Sequence, residues 1–549
     1  MQRRRSLAAG MVLSAALVAA ACGGGSEGGS GGGGGNGDDP GKPTPGGTVV
    51  YGLEAENDEG WCLPEAQLAI SGIQVARSIY DTLTAPNEEG EYVPFLAESV
   101  TPNATFDSWD VKLREGVKFH DGTDLTAEVV KNNLDAFRGQ YPARSPLLFI
   151  FVFSNIDTVT VKDPLTVTIT TKTPWPSLPA ALYGSGRIGI SAQAQLDDAE
   201  TCDRNLIGTG PFKLEEWNQN ESFKASKNAE YWQKDADGVQ LPYLDAIEFQ
   251  PRIDPSSRIN GLLSGELQMI HASAGESIDQ LRQETESGNI KSFESEQFPE
   301  VSFGQFNTSV EPFNNKNARL AAINGVDMKT FNKVRNLDLL TNANGPFGPG
   351  NMGYLEDTGY ETSNIEKAKE YLAAYKQETG KDLEFTLLST NDEATRASAQ
   401  LVQEMAQKAG IKVTIRDMSQ SELIDNAIAG TFQVMVFRNY PGGDPDTQFN
   451  WWTNGSPVNF GRFQDDTLTG LMEQGRVSSD KAERTKIYED VNKRFASEGY
   501  SLWLQWTTWD IGMSTDVSGV LGPDLPDGGG KPFPGLATGH PVTGIWVKQ

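Results

Sequence analysis

The stretch Phe95–Val130, FLAESVTPNATFDSWDVKLREGVKFHDGTDLTAEVV, decides how the chain is read. Trp109, Val111 and Leu113 alternate with Asp110, Lys112 and Arg114, the period-two pattern of a half-buried strand. Glu115-Gly116 turns the chain, Val117 and Phe119 resume it, and Asp121-Gly122 turns it again. Thr126 has the character of a helix N-cap, and Ala127, Val130, Leu134 and Phe137 fall on one face of the helix that follows.

The run Leu113–Gly122, LREGVKFHDG, continuing into Thr126–Val130, TAEVV, resembles the signature of the family 5 extracellular solute-binding proteins, the peptide, nickel and related receptors of ABC importers. In that family the block is scaffold in a side domain. The resemblance therefore makes His120 a loop-fixing hydrogen-bonder. No nucleophile or metal partner lies near it in sequence.

Working outward, 549 residues exceed what one hydrophobic core usually supports, so two or three domains are expected. Hydrophobic residues make up 38%, enough for real cores, and 11 Trp suggest an aromatic-lined cavity. The formal charge of -28 argues against nucleic acid or an anionic membrane surface as partner.

Arg3-Arg4-Arg5 followed by the apolar run Leu7–Ala21 forms a secretory signal peptide over 1–21, too short for a stable membrane span. Arg4-Arg5-Ser6-Leu7 faintly resembles a twin-arginine signal with incomplete flanks, so the export route stays open. Small residues directly before Cys22 resemble a lipobox, which implies lipidation of Cys22. The Gly-rich residues that follow, to 47, cannot bury apolar surface and read as a flexible tether. The folded part is thus expected outside the cytoplasmic membrane, periplasmic or extracellular, and held near it by the anchor. Cys62 and Cys202 form an even pair that suggests a disulfide in an oxidising compartment, with two buried thiols as the alternative. His120, His271 and His540 are scattered, there is no CxxC, and no metal or cofactor is expected.

Further matches follow in family order: Gly208-Thr209-Gly210-Pro211-Phe212, then Trp217, then Tyr231-Trp232, then Leu262-Leu263-Ser264-Gly265-Glu266-Leu267. Phe306-Asn307-Thr308 is the family segment that crosses between lobes near the cleft. Beyond it, helices near 364–375, 394–409 and 422–429 alternate with strands near 383–388, 411–416 and 433–437, an α/β pattern. Gly348–Gly353 fits GxGxxG but holds Pro349, follows no strand and opens no helix, so it is no dinucleotide loop. No Walker A, GxSxG or HExxH pattern occurs, and no convergent nucleophile–base set can be assembled for an enzyme.

The stretch most informative about ligand is Phe437–Trp452, FRNYPGGDPDTQFNWW. A buried strand delivers Arg438, Asn439 and Tyr440 into a Pro/Gly loop, with Asp444, Trp451 and Trp452 beyond it. Polar groups at a strand end followed by aromatics suit a mostly apolar pocket with a few orienting contacts. Peptide receptors of the family carry Ala-Asp-Tyr here, the aspartate pairing with the ligand's α-amino group. This chain has Asn439 at that position, and an amide lacks the full charge that holds an ammonium. Asp444 is the candidate substitute, and Arg438 would favour an anionic group. In Leu502–Trp509, strict alternation puts Trp503 and Trp509 on one face and Trp506 on the other. Trp509 is the pocket candidate. Glu54, at the end of the first expected strand, and Asn307 complete the expected ligand-binding set.

What the resemblance implies is a two-lobed periplasmic-binding-protein fold, α/β, of the type II, cluster C-like kind with an additional side domain, closing by hinge motion. Lobe I would comprise 48–85, 206–306 and 509–549, the side domain 86–205 and lobe II 307–508. The expected partners are a peptide-like or other small organic solute and ABC permease subunits, the chain acting as a monomer and not as an enzyme. A surface sensor presenting a captured peptide, or less readily a secreted hydrolase, are the alternatives.

Overall fold

The computed structural model describes residues 41–57, 60–390 and 393–548. The expected signal peptide, Cys22 and most of the Gly-rich segment lie outside the described residues. Within that segment Gly46 and Gly47 already belong to the fold: Gly46 N–H donates to Tyr243 O at 2.8 Å and Asp245 N–H to Gly47 O at 2.8 Å.

The deciding stretch folds as its pattern dictates. Ser108–Leu113 is a strand that buries Trp109, Val111 and Leu113. Thr126 accepts the N–H of Val129 and caps helix Ala127–Phe137, whose Ala127, Val130, Leu134 and Phe137 are all 0% exposed. Burying each of the larger ones is worth about 1.5–3 kcal/mol. The strand sits in a four-stranded antiparallel sheet, ordered Ala97–Pro102, Ser108–Leu113, Thr166–Thr171, Ile156–Asp163. His120 fastens this side domain to the Gly-Thr-Gly loop. Its Nδ1 takes the N–H of Gly208 at 3.3 Å, which leaves Nε2–H to donate to Gly210 O at 3.0 Å. Burial lowers its pKa to about 4, so the ring is neutral.

The same loop shortens the first helix. The apolar pattern over 66–83 predicts a longer element, yet the helix spans only Ile70–Ile79. Gly210 N–H takes the carbonyl of Ile79 at 2.9 Å, and a Cβ on Gly208 would lie 2.0 Å from that oxygen. Only glycine lets the loop approach so closely.

Eleven strands form one mixed sheet through both lobes. At one end lie Lys412–Met418, Glu384–Thr390 and Val434–Asn439, with parallel pairing between the first two and between the last two. At the other lie Met269–Ala272, Thr48–Leu53 and Ala246–Pro251, also parallel, then Ser222–Lys227 and Phe212–Asn218. Between them run two long antiparallel strands, Lys291–Phe306 and Ser501–Met513.

These two strands contain the crossing, and it is not where the sequence suggested. Lys291–Ser295 pair with Met513–Trp509, and the register then jumps to Glu300 opposite Thr507. The extra residues bulge, with Phe298 at φ 49 and its N–H held by Pro349 O at 2.9 Å. The loop that mimicked GxGxxG thus serves as the rest for this bulge. Asn307, expected at the crossing, is 0% exposed inside lobe II, where its Nδ2 donates to Gly430 O and Phe432 O, both at 3.0 Å.

A second register shift, between Ser302 and Phe303, corrects the expected tryptophan alternation. Val301 faces Trp506 and Phe303 faces Trp503. Val301 and Phe303 share a face, so Trp503 and Trp506 pack together in one lobe II core. Trp509 belongs to another core, continuous through lobe I and the side domain. Cys62 and Cys202 are bonded, S–S 2.04 Å, tying the start of lobe I to the chain returning from the side domain.

Candidate ligand-binding cleft

Where strand Val434–Asn439 ends, lobe II meets lobe I. Arg438 Nη2 lies 3.9 Å from Glu54 and its Nη1 3.8 Å from Glu300. Glu54 stands at the end of strand Thr48–Leu53, fixed by its backbone N–H donating to His271 Nε2 at 2.9 Å. Glu300 is the first residue after the crossing bulge. Burial raises its pKa, and Arg438 and Arg187 oppose that rise. Two carboxylates therefore bracket Arg438, and the positive field expected from it is balanced locally.

Tyrosines form the rest of the wall. Tyr92 and Tyr183 lie with ring centroids 5.8 Å apart, and Tyr440 is close enough to feel both. Burial raises the pKa of Tyr92 and of Tyr440, although each keeps part of its surface accessible. Partial exposure with strong desolvation is the signature of a concave site. Tyr92 OH also accepts the N–H of Gly443 at 3.0 Å, so the side domain touches the Pro/Gly loop directly. Arg187 joins from the side-domain segment, its Nε donating to Leu68 O of lobe I at 2.8 Å and its pKa pulled down to about 10 by burial.

Of the expected set, the fold brings Glu54, Arg438 and Tyr440 to this cleft and places Asn439 at its edge. Asn439 Nδ2 donates to Gln448 Oε1 at 2.6 Å. Asp444 is committed elsewhere: Arg484 grips it in a fork, Nη1 to Oδ2 at 2.8 Å and Nη2 to Oδ1 at 2.6 Å. A carboxylate spent on a buried guanidinium has no charge left for a ligand amine. Trp452 is 7% exposed, between Phe347 and Phe495. Trp451 is half-buried against Phe460, at 5.2 Å. Trp509, 2% exposed, packs on His271 at 5.4 Å and offers the cleft no surface. Asp444 and Trp452 are taken up because the loop folds back on helix Lys481–Glu498, through Arg484 and Phe495, while Trp509 is enclosed in the lobe I core.

Sequence reasoning missed Tyr92, Tyr183, Arg187 and Glu300. None lies in a motif, and only the sheet crossing and the side-domain return bring them together. The two remaining histidines converge too: His271 and His540 flank Tyr51, at 6.0 and 5.7 Å. Burial lowers both to about 3, so both are neutral, and His540 Nε2 accepts from Tyr51 OH at 3.0 Å. Among the described residues no cluster of three or more His, Cys, Asp or Glu could hold a metal ion.

Comparison with known proteins fits this architecture. The sequence model of the bacterial extracellular solute-binding proteins, family 5, matches residues 91–460. The chain is a family 5 extracellular solute-binding protein. Among relatives of this family 5 protein, the glutathione-binding protein GsiB of Escherichia coli K12 is 28% identical over 427 residues, covering 76% of this chain and 80% of that one. Among solved structures, AgaA from A. tumefaciens R10, in complex with agropinic acid, is 25% identical with a TM-score of 0.78, covering 92% and 99%. The oligopeptide-binding protein AppA from Bacillus subtilis, in complex with a nonapeptide, shares the fold at 22% identity and a TM-score of 0.79, covering 92% and 100%. Proteins of this family bind solutes and are not enzymes. Among the described residues no helix is long and apolar enough to cross a membrane.

Proposed function

We propose that this family 5 protein is an extracytoplasmic lipoprotein that captures a peptide-like or other small organic solute between its lobes and delivers it to an ABC permease. The observation that carries this is the cleft itself. Glu54 comes from lobe I, Tyr92 and Arg187 from the side-domain segment, and Arg438 and Tyr440 from lobe II. A solute seated there would touch all three parts at once, so its binding energy would favour the closed form. Lobe I is taken as 48–85, 206–299 and 509–549, the side domain as 86–205 and lobe II as 300–508, the 306/307 boundary expected from the sequence being moved to the bulge before Glu300. The lipid anchor at Cys22, residence on the outer face of the cytoplasmic membrane and action as a monomer belong to the same proposal. GsiB is a glutathione-binding protein and AppA was solved with a nonapeptide, which favours a peptide-like solute.

Native mass spectrometry of the mature chain, gently purified from its own host, tests the proposal. A discrete added mass, lost on denaturation, is expected. If the protein comes bare and takes up no peptide, glutathione or agropinic acid on titration, the capture role is refuted.

A further inference from the structure

We propose that the Cys62–Cys202 disulfide is a thiol-exchange site for an incoming dithiol, and that Arg144 directs the exchange by holding Cys62 as the leaving thiolate. The site lies outside the cleft residues described above and does not depend on which solute the protein takes.

Arg144 reaches the bond from the side domain, in the loop after helix Ala127–Phe137. Its Nη1 contacts Cys62 Sγ, and its Nη2 donates to Asp198 O at 3.0 Å. The residue is 8% exposed, and its Nε is buried without a hydrogen-bond partner. The carboxylate beside it, Glu65, stands 3.9 Å from Nη1, and the same oxygen already accepts the Ser145 N–H at 2.8 Å. On the other side of the bond the charge is balanced, since Arg204 pairs with Asp203 at 3.1 Å. A disulfide sulfur is uncharged and only a weak acceptor, so burying a guanidinium against it is unfavourable. A thiolate at Cys62 would supply the missing anion, and a neighbouring arginine favours that form of a cysteine. The cation is therefore matched to the reduced state of the pair.

The bond can open without dispersing its two ends. Cys62 O accepts the N–H groups of Glu65 and Ala66, at 3.0 and 2.8 Å, and Trp61 N–H donates to Asp203 O at 2.9 Å. Gln195 Nε2 donates to Cys202 O at 2.9 Å. Cys62 and Cys202 are 7% and 5% exposed, so neither is wholly enclosed.

A thiolate of the dithiol attacks Cys202 Sγ, and the protein's S–S bond breaks with its electron pair leaving on Cys62 Sγ. A leaving thiol of lowered basicity departs faster, which selects Cys202 as the sulfur attacked. The second thiol of the dithiol gives up its proton and attacks its own sulfur in the mixed disulfide, displacing Cys202, which takes up a proton. The dithiol has then lost two electrons and become a disulfide. The protein holds a Cys62 thiolate beside Arg144 and a Cys202 thiol, and one proton has passed to solvent.

The test uses the full mature protein without denaturant. The monothiol 2-mercaptoethanol stops the reaction at the mixed disulfide, iodoacetamide blocks the freed cysteine, and peptide mass spectrometry reads which residue carries which group. The mercaptoethanol adduct should lie on Cys202, and the alkyl group on Cys62, at least about tenfold over the reverse. Arg144→Met should bring the two products towards even, and Arg144→Lys should restore much of the bias. Thermal midpoints of both oxidised variants check that they fold, while the product ratio of the native protein needs no variant. Dithiothreitol should open the bond fully, and its oxidised form should close it again, with the far-ultraviolet dichroism unchanged throughout. An even or reversed product ratio in the native protein, an undiminished bias in Arg144→Met, or a bond that opens only in urea overturns the proposal.

Discussion

The indole N–H of Trp175 donates to the carboxylate of Asp446 at 2.6 Å, joining the end of the side-domain segment to lobe II across 271 residues of sequence. Ser177 adds its hydroxyl to the same oxygen at 2.7 Å, and Arg476 Nε holds the other at 2.8 Å. Burial alone would raise the Asp446 pKa, but Arg476, Ser177 and Trp175 together hold it below the usual range. Arg476 also lies over the Phe449 ring at 3.5 Å. The group latches the side-domain segment to lobe II around a fully satisfied buried ion.

Two substitutions separate the latch from the ion pair. Trp175→Phe removes one donor across the lobes and should cost about 1 kcal/mol. It should appear as a larger radius of gyration in solution scattering of the ligand-free protein, with little change in denaturant midpoint. Asp446→Ala leaves Arg476, 7% exposed, without its anion. That should cost about 3–5 kcal/mol in urea unfolding. An unchanged radius for Trp175→Phe would rule out the latch.

Asn439 sets the response to free amines. Asn439→Asp places a full charge at the strand end, and Gln448 can turn its amide to donate to the new carboxylate. Tri-alanine should then bind about tenfold more tightly by isothermal titration, roughly 1.4 kcal/mol. Tight binding of tri-alanine by the native protein would contradict the role given to the amide.

Asp510 makes the protein less stable as pH rises. It pairs directly opposite Glu294 on the long strands, with Arg282, bonded to Glu294, as the nearby cation. Both of its oxygens are buried without a hydrogen bond, and burial, reinforced by Glu294, lifts its pKa from 3.8 to about 7. A folded-state pKa above the unfolded one means that the native state holds the extra proton between these values. Stability from this group is therefore present below pH 4 and lost progressively up to pH 7, an effect on the order of 4 kcal/mol. Asp510→Asn should raise the thermal midpoint clearly at pH 8 and much less at pH 4. His271, His540 and His120 act in the opposite sense, losing stability as acid charges them. The comparison of variant with native at each pH cancels their contribution.

The disulfide closes a separation of 140 residues. Chain-entropy reasoning assigns such a cross-link about 5 kcal/mol of unfolded-state restriction. Cys62→Ala with Cys202→Ala should lower urea stability by about 3–5 kcal/mol while leaving the far-ultraviolet dichroism of the folded state unchanged. Since Trp61 N–H already bonds Asp203 O at 2.9 Å, the local geometry does not need the bond. Its contribution lies in the unfolded chain.

Local pattern was legible wherever one face of an element decides its fate. Helix Ala127–Phe137, the capping Thr126 and the strand through Trp109, Val111 and Leu113 follow from periodicity alone. The side-domain block, the Gly-Thr-Gly loop and the α/β succession in lobe II follow from motif and period together. His120 as a loop-fixing hydrogen-bonder follows from the family resemblance, whereas its neutrality is set by burial in the folded chain.

The sequence by itself therefore determined the family, the element types and the strand end that carries Arg438, Asn439 and Tyr440. Tertiary structure alone decided which charges remain for a solute. Asp444 and Arg484 are 40 residues apart, and Trp175 and Asp446 are 271 apart. Nothing in local spacing tells that one carboxylate is spent on a buried guanidinium and the other on a latch. The register jumps at Ser295/Glu300 and Ser302/Phe303 likewise redirect Trp503, Trp506 and Glu300 by pairing with a distant strand. A period-two pattern fixes alternation only while the ladder is unbroken, and a bulge is stabilised by what packs on it. For this reason Arg187 and Glu300 could be found only in the folded chain.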